Sequence, residues 1–273
     1  MNHSHLSWID FFQWTYQSCL KSLEASLEQG KTNLVVTPNP EMLYEASRDN
    51  ELLKILENAD MAIPDGAGIF VGYQVVNSQL PKWMKYIMIP WYCTRAILHD
   101  AWITKKYGER ITGSRLTRDL IAYAAEINIP VTVIDPLVTG DSEWDRAKKA
   151  SQETMKKSLE EKFPWLVCQV IISDSISEIS KSQNLQIPDH WIIFATHGNG
   201  KQEKLLSDIV KKYPQCGICM GVGGSIDLLT GFRQPAPAFF QRFGGEWLYR
   251  LYRNPSRHWK RMKKVMSFLF CQI

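Results

Sequence analysis

The stretch Asn33-Leu-Val-Val-Thr-Pro-Asn-Pro40 decides the fold. Leu34, Val35 and Val36 follow one another without a polar break, so a strand there is apolar on both sides and predicts burial on both faces of a sheet. Pro38 and Pro40 end it, because proline brings no N–H to a ladder. Glu41 to Glu57 then reads as a helix with Pro40 near its first turn, where a missing N–H costs nothing. Asp60-Met-Ala-Ile-Pro64 is a second short strand. Strand, helix and strand in that order make a parallel pair joined by a crossover.

The same alternation continues outward. A helix is predicted from Phe11 to Leu27, ending near Gln29-Gly30. Beyond the first unit come a turn at Asp65-Gly-Ala-Gly68, a helix opening over Ile69–Val76, and a helix over Leu116–Glu126. Further strands are expected at Pro130–Ile134, Val167–Ser173, Trp191–Thr196 and Gly217–Met220, with helices at Trp144–Phe163 and Gln202–Lys212. The expected fold is α/β, a Rossmann-like parallel sheet with helices on both faces.

Composition excludes other classes. The chain has 273 residues, of which 45% are hydrophobic and 22% charged, the balance of a globular protein rather than a disordered one. No apolar run reaches the ~18 residues needed to span a bilayer. Met1 to Gln13 lacks a basic segment followed by an apolar block, which argues against a secretory signal. Six cysteines are too few for a disulfide scaffold, and the lone Cys216-Gly-Ile-Cys219 reads as two core-facing small side chains. The expected location is the cytoplasm.

A net charge of +4 does not call for nucleic acid, but its distribution is uneven. From residue 242 to 273, eight basic side chains face Glu246 alone, a net of +7, which leaves −3 for the remainder. Leu248, Leu251, Tyr252, Trp259, Met262, Val265, Met266 and Leu269 recur there at helical spacing. A basic amphipathic segment with Trp and Tyr fits an anionic membrane surface; the bland reading is a docking helix with solvated arginines. The division expected is a core over 1–241 and a membrane-binding appendage over 242–273, carrying Arg250, Arg253, Arg257, Lys260 and Arg261. Within the core, Leu80 to Tyr107 is unusually aromatic and basic, and against the family pattern named below it reads as an insertion: a second membrane contact, or a subunit-contact hairpin in a homo-oligomer.

Ligands of parallel sheets bind beyond the carboxyl ends of the strands. The loops there are Thr37–Pro40, Pro64–Gly68, His197–Gly200 and Gly221–Gly224. Three hold glycines that let phosphates approach the backbone. Asp65 on its tight turn is a candidate general base through partial desolvation, or a helix N-cap. Thr37 and Asn39 could hold a sugar hydroxyl or satisfy the turn. Gly221-Val-Gly-Gly-Ser-Ile-Asp227 lacks both the Lys-Ser/Thr ending of a triphosphate loop and the dinucleotide fingerprint. His197 could be a ligand or a base, but a lone His after a strand is more often structural. No Asp-x-Asp pair is present, so nothing calls for a carboxylate-bound metal.

Together the loops resemble the WecG/TagA/CpsF glycosyltransferases of the N-acetylmannosaminyltransferase type. The matching pieces are Thr37-Pro-Asn-Pro-Glu41, Ala59 to Gly68, Glu109-Arg-Ile-Thr-Gly113, Gly198-Asn-Gly-Lys-Gln-Glu203, Gly221 to Asp227 and Gly244-Gly-Glu-Trp-Leu-Tyr-Arg-Leu251, in the family's order. The resemblance implies inverting transfer of a sugar from a UDP-sugar donor to a polyprenyl-diphosphate-linked sugar acceptor, without a metal cofactor. It implies Asp65 as the catalytic base with Thr37 beside it, and Thr37 and Asn39 lining the sugar site. Arg110 would face the leaving diphosphate, and Gln202 and Asp227 the donor, with Gly66, Glu203 and Gly223 completing the substrate-binding set. It also implies peripheral attachment to the inner face of the cell membrane.

The chain departs from the family pattern at Gly200, where proline is usual, and at Pro235-Ala-Pro237, where an arginine leads; Arg233 is the nearest substitute. Asp135-Pro-Leu-Val-Thr-Gly140 replaces a glycine-rich turn. These departures support a rival reading, a catalytically inactive nucleotide-sugar-binding module of a polysaccharide assembly system.

Overall fold

The computed structural model describes residues 15–98, 111–181, 191–237, 240, 246–253 and 255–271. Its centre is a six-stranded, all-parallel sheet. The strands are β1 (Asn33–Val36), β2 (Met61–Ala62), β3 (Val131–Asp135), β4 (Cys168–Ile172), β5 (Ile192–Ala195) and β6 (Ile218–Gly221), in spatial order β2-β1-β6-β5-β3-β4. From β1 the chain winds to one edge at β2, crosses to the other half for β3 and β4, then returns inward through β5 and β6.

Helices cover both faces: α1 (Tyr16–Glu28), α2 (Pro40–Ala46), α3 (Asn50–Glu57), α4 (Ala67–Asn77), α5 (Lys82–Leu98), α6 (Gly113–Glu126), α7 (Glu143–Lys162), α8 (Ile176–Lys181), α9 (Lys201–Lys212), α10 (Ser225–Leu229), α11 (Glu246–Arg253) and α12 (Pro255–Cys271). The period of two along each strand sorts its side chains. Leu34, Val36, Ile193, Ala195 and Cys219 point to a core shared with α2, α3, α4, α5, α9 and the end of α12. Val35, Ile192, Phe194, Ile218 and Met220 point to the opposite core, under α1, α6, α7 and α10. The parallel α/β architecture is therefore as the sequence predicts.

One predicted helix is two. The span Glu41–Glu57 breaks between Ala46 and Asn50, because the Asp49 carboxylate accepts from the N–H groups of Glu51 and Leu52 and starts α3 afresh. The Asp49 charge is held below the usual carboxylate range, chiefly by its hydrogen bond with Lys204. Cys216 and Cys219 are buried, with sulfurs 3.2 Å apart inside the core. The insertion supplies α5, which packs on α4 through Ile89, Tyr92 and Ala96; residues 99–107 of it lie outside the described residues. Among the described residues no helix is long and apolar enough to cross a membrane.

Candidate active site

Because all six strands are parallel, their carboxyl ends share one rim. The adjacent order β2, β1, β6, β5 sets four loops side by side there: Ile63–Gly66, Thr37–Asn39, Val222–Gly224 and Thr196–Gly200. Direct bonds tie each to the next. Asp65 N–H donates to Pro38 O at 2.8 Å. The Thr37 hydroxyl donates to Gly221 O at 3.3 Å. Gln202 Oε1 accepts from Gly223 N–H at 3.2 Å. Asn39 and Asn199 exchange amide hydrogen bonds of 3.0 and 3.2 Å, joining the β1 and β5 loops.

Asp65 is not the N-cap of the helix that follows it. Gly66 holds that position with φ +86°, a left-handed conformation that favours glycine, and gives α4 no side-chain cap. The first N–H groups of α4 therefore lack a capping side chain at the rim, as do those of α10 behind Gly224. Gly68 is a steric necessity, since a Cβ there would lie 2.6 Å from Pro40 Cγ. Asn39 caps α2 by accepting from Met42 N–H at 3.0 Å, so its carbonyl oxygen also satisfies the turn.

Gln202 and Glu203 are buried at the start of α9. Glu203 accepts from Gly200 N–H at 2.7 Å and from Gln202 Nε2 at 2.7 Å. Burial pushes the Glu203 carboxyl up to about 7, against the lowering effect of those hydrogen bonds. Gly221 lies close against α9; a Cβ there would overlap the Gln202 amide. Gln202 and Glu203 thus shape the Gly221–Gly224 loop from beneath.

Asp227 sits in a buried charge cluster that sequence reasoning missed. Lys148 from α7 reaches Asp227 Oδ1 at 2.6 Å and Asp135 Oδ2 at 3.0 Å, its side chain only 5% exposed. Asp135 also accepts from Thr196 and Gln152. Arg233 Nε lies 3.2 Å from Asp227 Oδ2, with the guanidinium against Gly224. Two carboxylates therefore meet two cations. His197 Nε2 lies 2.6 Å from Ser173 O and 3.5 Å from Asp174 Oδ1. Among the described residues no group of three His, Cys, Asp or Glu side chains converges as a metal site.

Arg110 lies outside the described residues. The described chain resumes at Ile111, and a Cβ on Gly113 would come within 3.9 Å of Thr37 Cγ2, so the start of α6 borders the rim. The basic appendage is helical: Arg250 and Arg253 lie on α11, and Arg257, Lys260 and Arg261 on α12. Arg261 is engaged within the protein. Its Nε lies 2.6 Å from Glu41 Oε2, and Lys264 reaches Glu41 at 3.2 Å and Glu45 at 2.5 Å. Asn199 donates to the same Glu41 at 3.1 Å. Glu41 therefore connects the asparagine pair of the rim to α12. Glu41 followed Asn39 in the quoted motif, but its partners, more than 150 residues away, are invisible from spacing.

The 273-residue N-acetylglucosaminyldiphosphoundecaprenol N-acetyl-beta-D-mannosaminyltransferase alignment from Bacillus spizizenii is 27% identical and covers 98% of this chain and 90% of that protein. The protein of the same description from Bacillus subtilis is 22% identical over 270 residues, covering 98% of this chain and 86% of its own length. The model of the Glycosyl transferase WecG/TagA/CpsF family matches residues 5–97 and 96–273. With a sheet rim of this construction and a family match over nearly the whole chain, the protein belongs to the WecG/TagA/CpsF family of glycosyl transferases.

Proposed function

We propose that the protein moves an N-acetylhexosamine-type sugar, N-acetylmannosamine or a close relative, from a UDP-sugar to a polyprenyl-diphosphate-linked acceptor, with inversion. The product would serve cell-surface polysaccharide or wall-polymer synthesis. The observation that carries this reading is the cross-tied rim, in which the Asp65, Thr37, Gly223 and Asn199 loops stand side by side on adjacent strands. The two relatives are named for transfer of N-acetylmannosamine to N-acetylglucosaminyl-diphosphoundecaprenol, which supports the substrate class.

The chemistry assigns each part a task. An acceptor hydroxyl oxygen attacks the anomeric carbon, its proton passes to the Asp65 carboxylate, and the bond to the diphosphate oxygen breaks, releasing UDP. The departing charge then meets the uncapped N-terminus of α4, the glycine-loop amides and the basic side chains Arg110 and Arg233. No metal ion is assigned a part. Thr37 and Asn39 frame the sugar. Gln202, Glu203 and Asp227 hold the donor-side loop in shape. The appendage brings the rim to the lipid-borne acceptor, at the inner face of the cell membrane.

Incubation with a panel of UDP-sugars and a polyprenyl-diphosphate-linked N-acetylglucosamine, read by mass spectrometry, tests the proposal. A product gaining one N-acetylhexosamine supports it. UDP binding without transfer from any donor favours the inactive binding module.

A further inference from the structure

Between Trp83 and Trp91 the exposed face of α5 is apolar, with Lys82 before it and Thr94 after it. Trp83, Tyr86, Ile87 and Trp91 are 61%, 45%, 66% and 57% exposed, and Pro90 is exposed between them. The spacing 83, 87, 91 with 86 and 90 places all five on one side of the helix. Ile89, Tyr92 and Ala96 on the opposite side are buried against the core, so α5 is anchored there and Trp83, Ile87 and Trp91 stay exposed. Large apolar residues gathered in one exposed patch mark a contact surface, whereas scattered ones do not.

Two observations identify the occupant. The first is charge. α5 carries Lys82, Lys85 and Arg95 and no acidic residue; α12 carries no acidic residue, and beside Arg261 and Lys264, which pair with Glu41 and Glu45, it carries Arg257, Lys260 and Lys263. A second copy of the chain docked through this face would set like charges against each other. An anionic bilayer offers the complementary charge. Trp and Tyr favour the headgroup level, where an apolar ring and a polar edge are both satisfied. The second is continuity. Tyr86 stacks on Phe270 of α12 with ring centroids 5.8 Å apart, and Phe270 is itself 44% exposed. The α5 face therefore runs on to the end of the basic appendage, making one surface from two distant parts of the chain.

We propose that α5 is a membrane-docking helix, inserting Trp83, Ile87 and Trp91 into the headgroup region of an anionic bilayer beside α12. This rests on the reading of a lipid-borne acceptor but not on its sugar chemistry.

The test is co-sedimentation of the full-length protein with vesicles of equimolar phosphatidylglycerol and phosphatidylcholine. The variant carries Trp83→Ser, Ile87→Ser and Trp91→Ser together, all at exposed positions, with the thermal midpoint as a control on folding. The proposal predicts a fall in vesicle partitioning of roughly tenfold or more at an unchanged midpoint. Unchanged partitioning overturns it. So does a variant that binds vesicles normally but shifts from dimer to monomer in sedimentation velocity, since the face is then a contact between copies. If the serine variant does not fold, Trp83→Phe/Trp91→Phe keeps the helix apolar. Brominated phosphatidylglycerol should then quench the wild type more strongly than this variant; equal fractional quenching overturns the proposal. Loss of vesicle binding in a protein that never binds UDP would break the donor reading and leave this inference supported.

Discussion

Lys148 Nζ lies 2.6 Å from Asp227 Oδ1, so a side chain of α7 is tied to α10, the short helix after β6. The same ammonium meets Asp135 at the end of β3. Both carboxylates and the amine are nearly sealed from water, and each is tolerable only because the others are present. This triad ties the end of β3 to α10 through α7.

Lys148→Met should therefore be costly. It leaves two buried carboxylates with Arg233, and a loss of about 3–5 kcal/mol of unfolding free energy is expected. Urea denaturation measures it. Adding Asp135→Asn and Asp227→Asn to the same chain should recover part of the loss, because the uncompensated charge is removed.

Glu203 gives the protein a pH-dependent stability. Its carboxyl is raised from about 4.5 to about 7 in the folded state, so the folded chain holds a proton that the unfolded chain releases. The stabilisation is complete below the ordinary carboxylate value and is lost as pH rises towards 7. A shift of that size corresponds to about 3 kcal/mol. Denaturation curves between about pH 5 and pH 8 should show declining stability in the wild type, and Glu203→Gln should flatten that part of the decline.

Gly221→Ala probes how closely the Gly221–Gly224 loop sits on α9. The new methyl would displace the Gln202 amide that accepts from Gly223 N–H. A cost of about 1–3 kcal/mol is expected from overpacking, together with weaker UDP binding by calorimetry. Gln202→Ala in the same background should show little further loss, because the contact is already broken.

Much of this was legible in the chain. The Asn33–Pro40 strand and its terminating prolines gave the sheet, and the four glycine- or proline-marked loops fell on one rim. What was hidden depended on partners far apart in sequence. Lys148 reads as one lysine among many on a charged amphipathic helix, and only Asp135 and Asp227 make it a buried one. The break before Asn50 needed the preference of Asp49 for capping over continuing a helix. Arg261, expected at the membrane, turns its guanidinium to Glu41, a contact across 220 residues.

That contact makes a prediction about the appendage. Glu41→Gln removes the charge shared by Arg261 and Lys264 and loosens α12 from α2. Amide hydrogen exchange in α12 should rise by a factor on the order of ten, with the strands of the sheet unaffected.

The central claim is that Asp65 takes the proton of the acceptor hydroxyl on this rim. The most direct measurement compares transfer from UDP-N-acetylmannosamine to a polyprenyl-diphosphate-linked N-acetylglucosamine by wild type and Asp65→Asn, alongside UDP affinity for both. The account predicts a loss of about 10²–10⁴-fold in turnover with UDP affinity retained. Transfer by Asp65→Asn at the wild-type rate would contradict it.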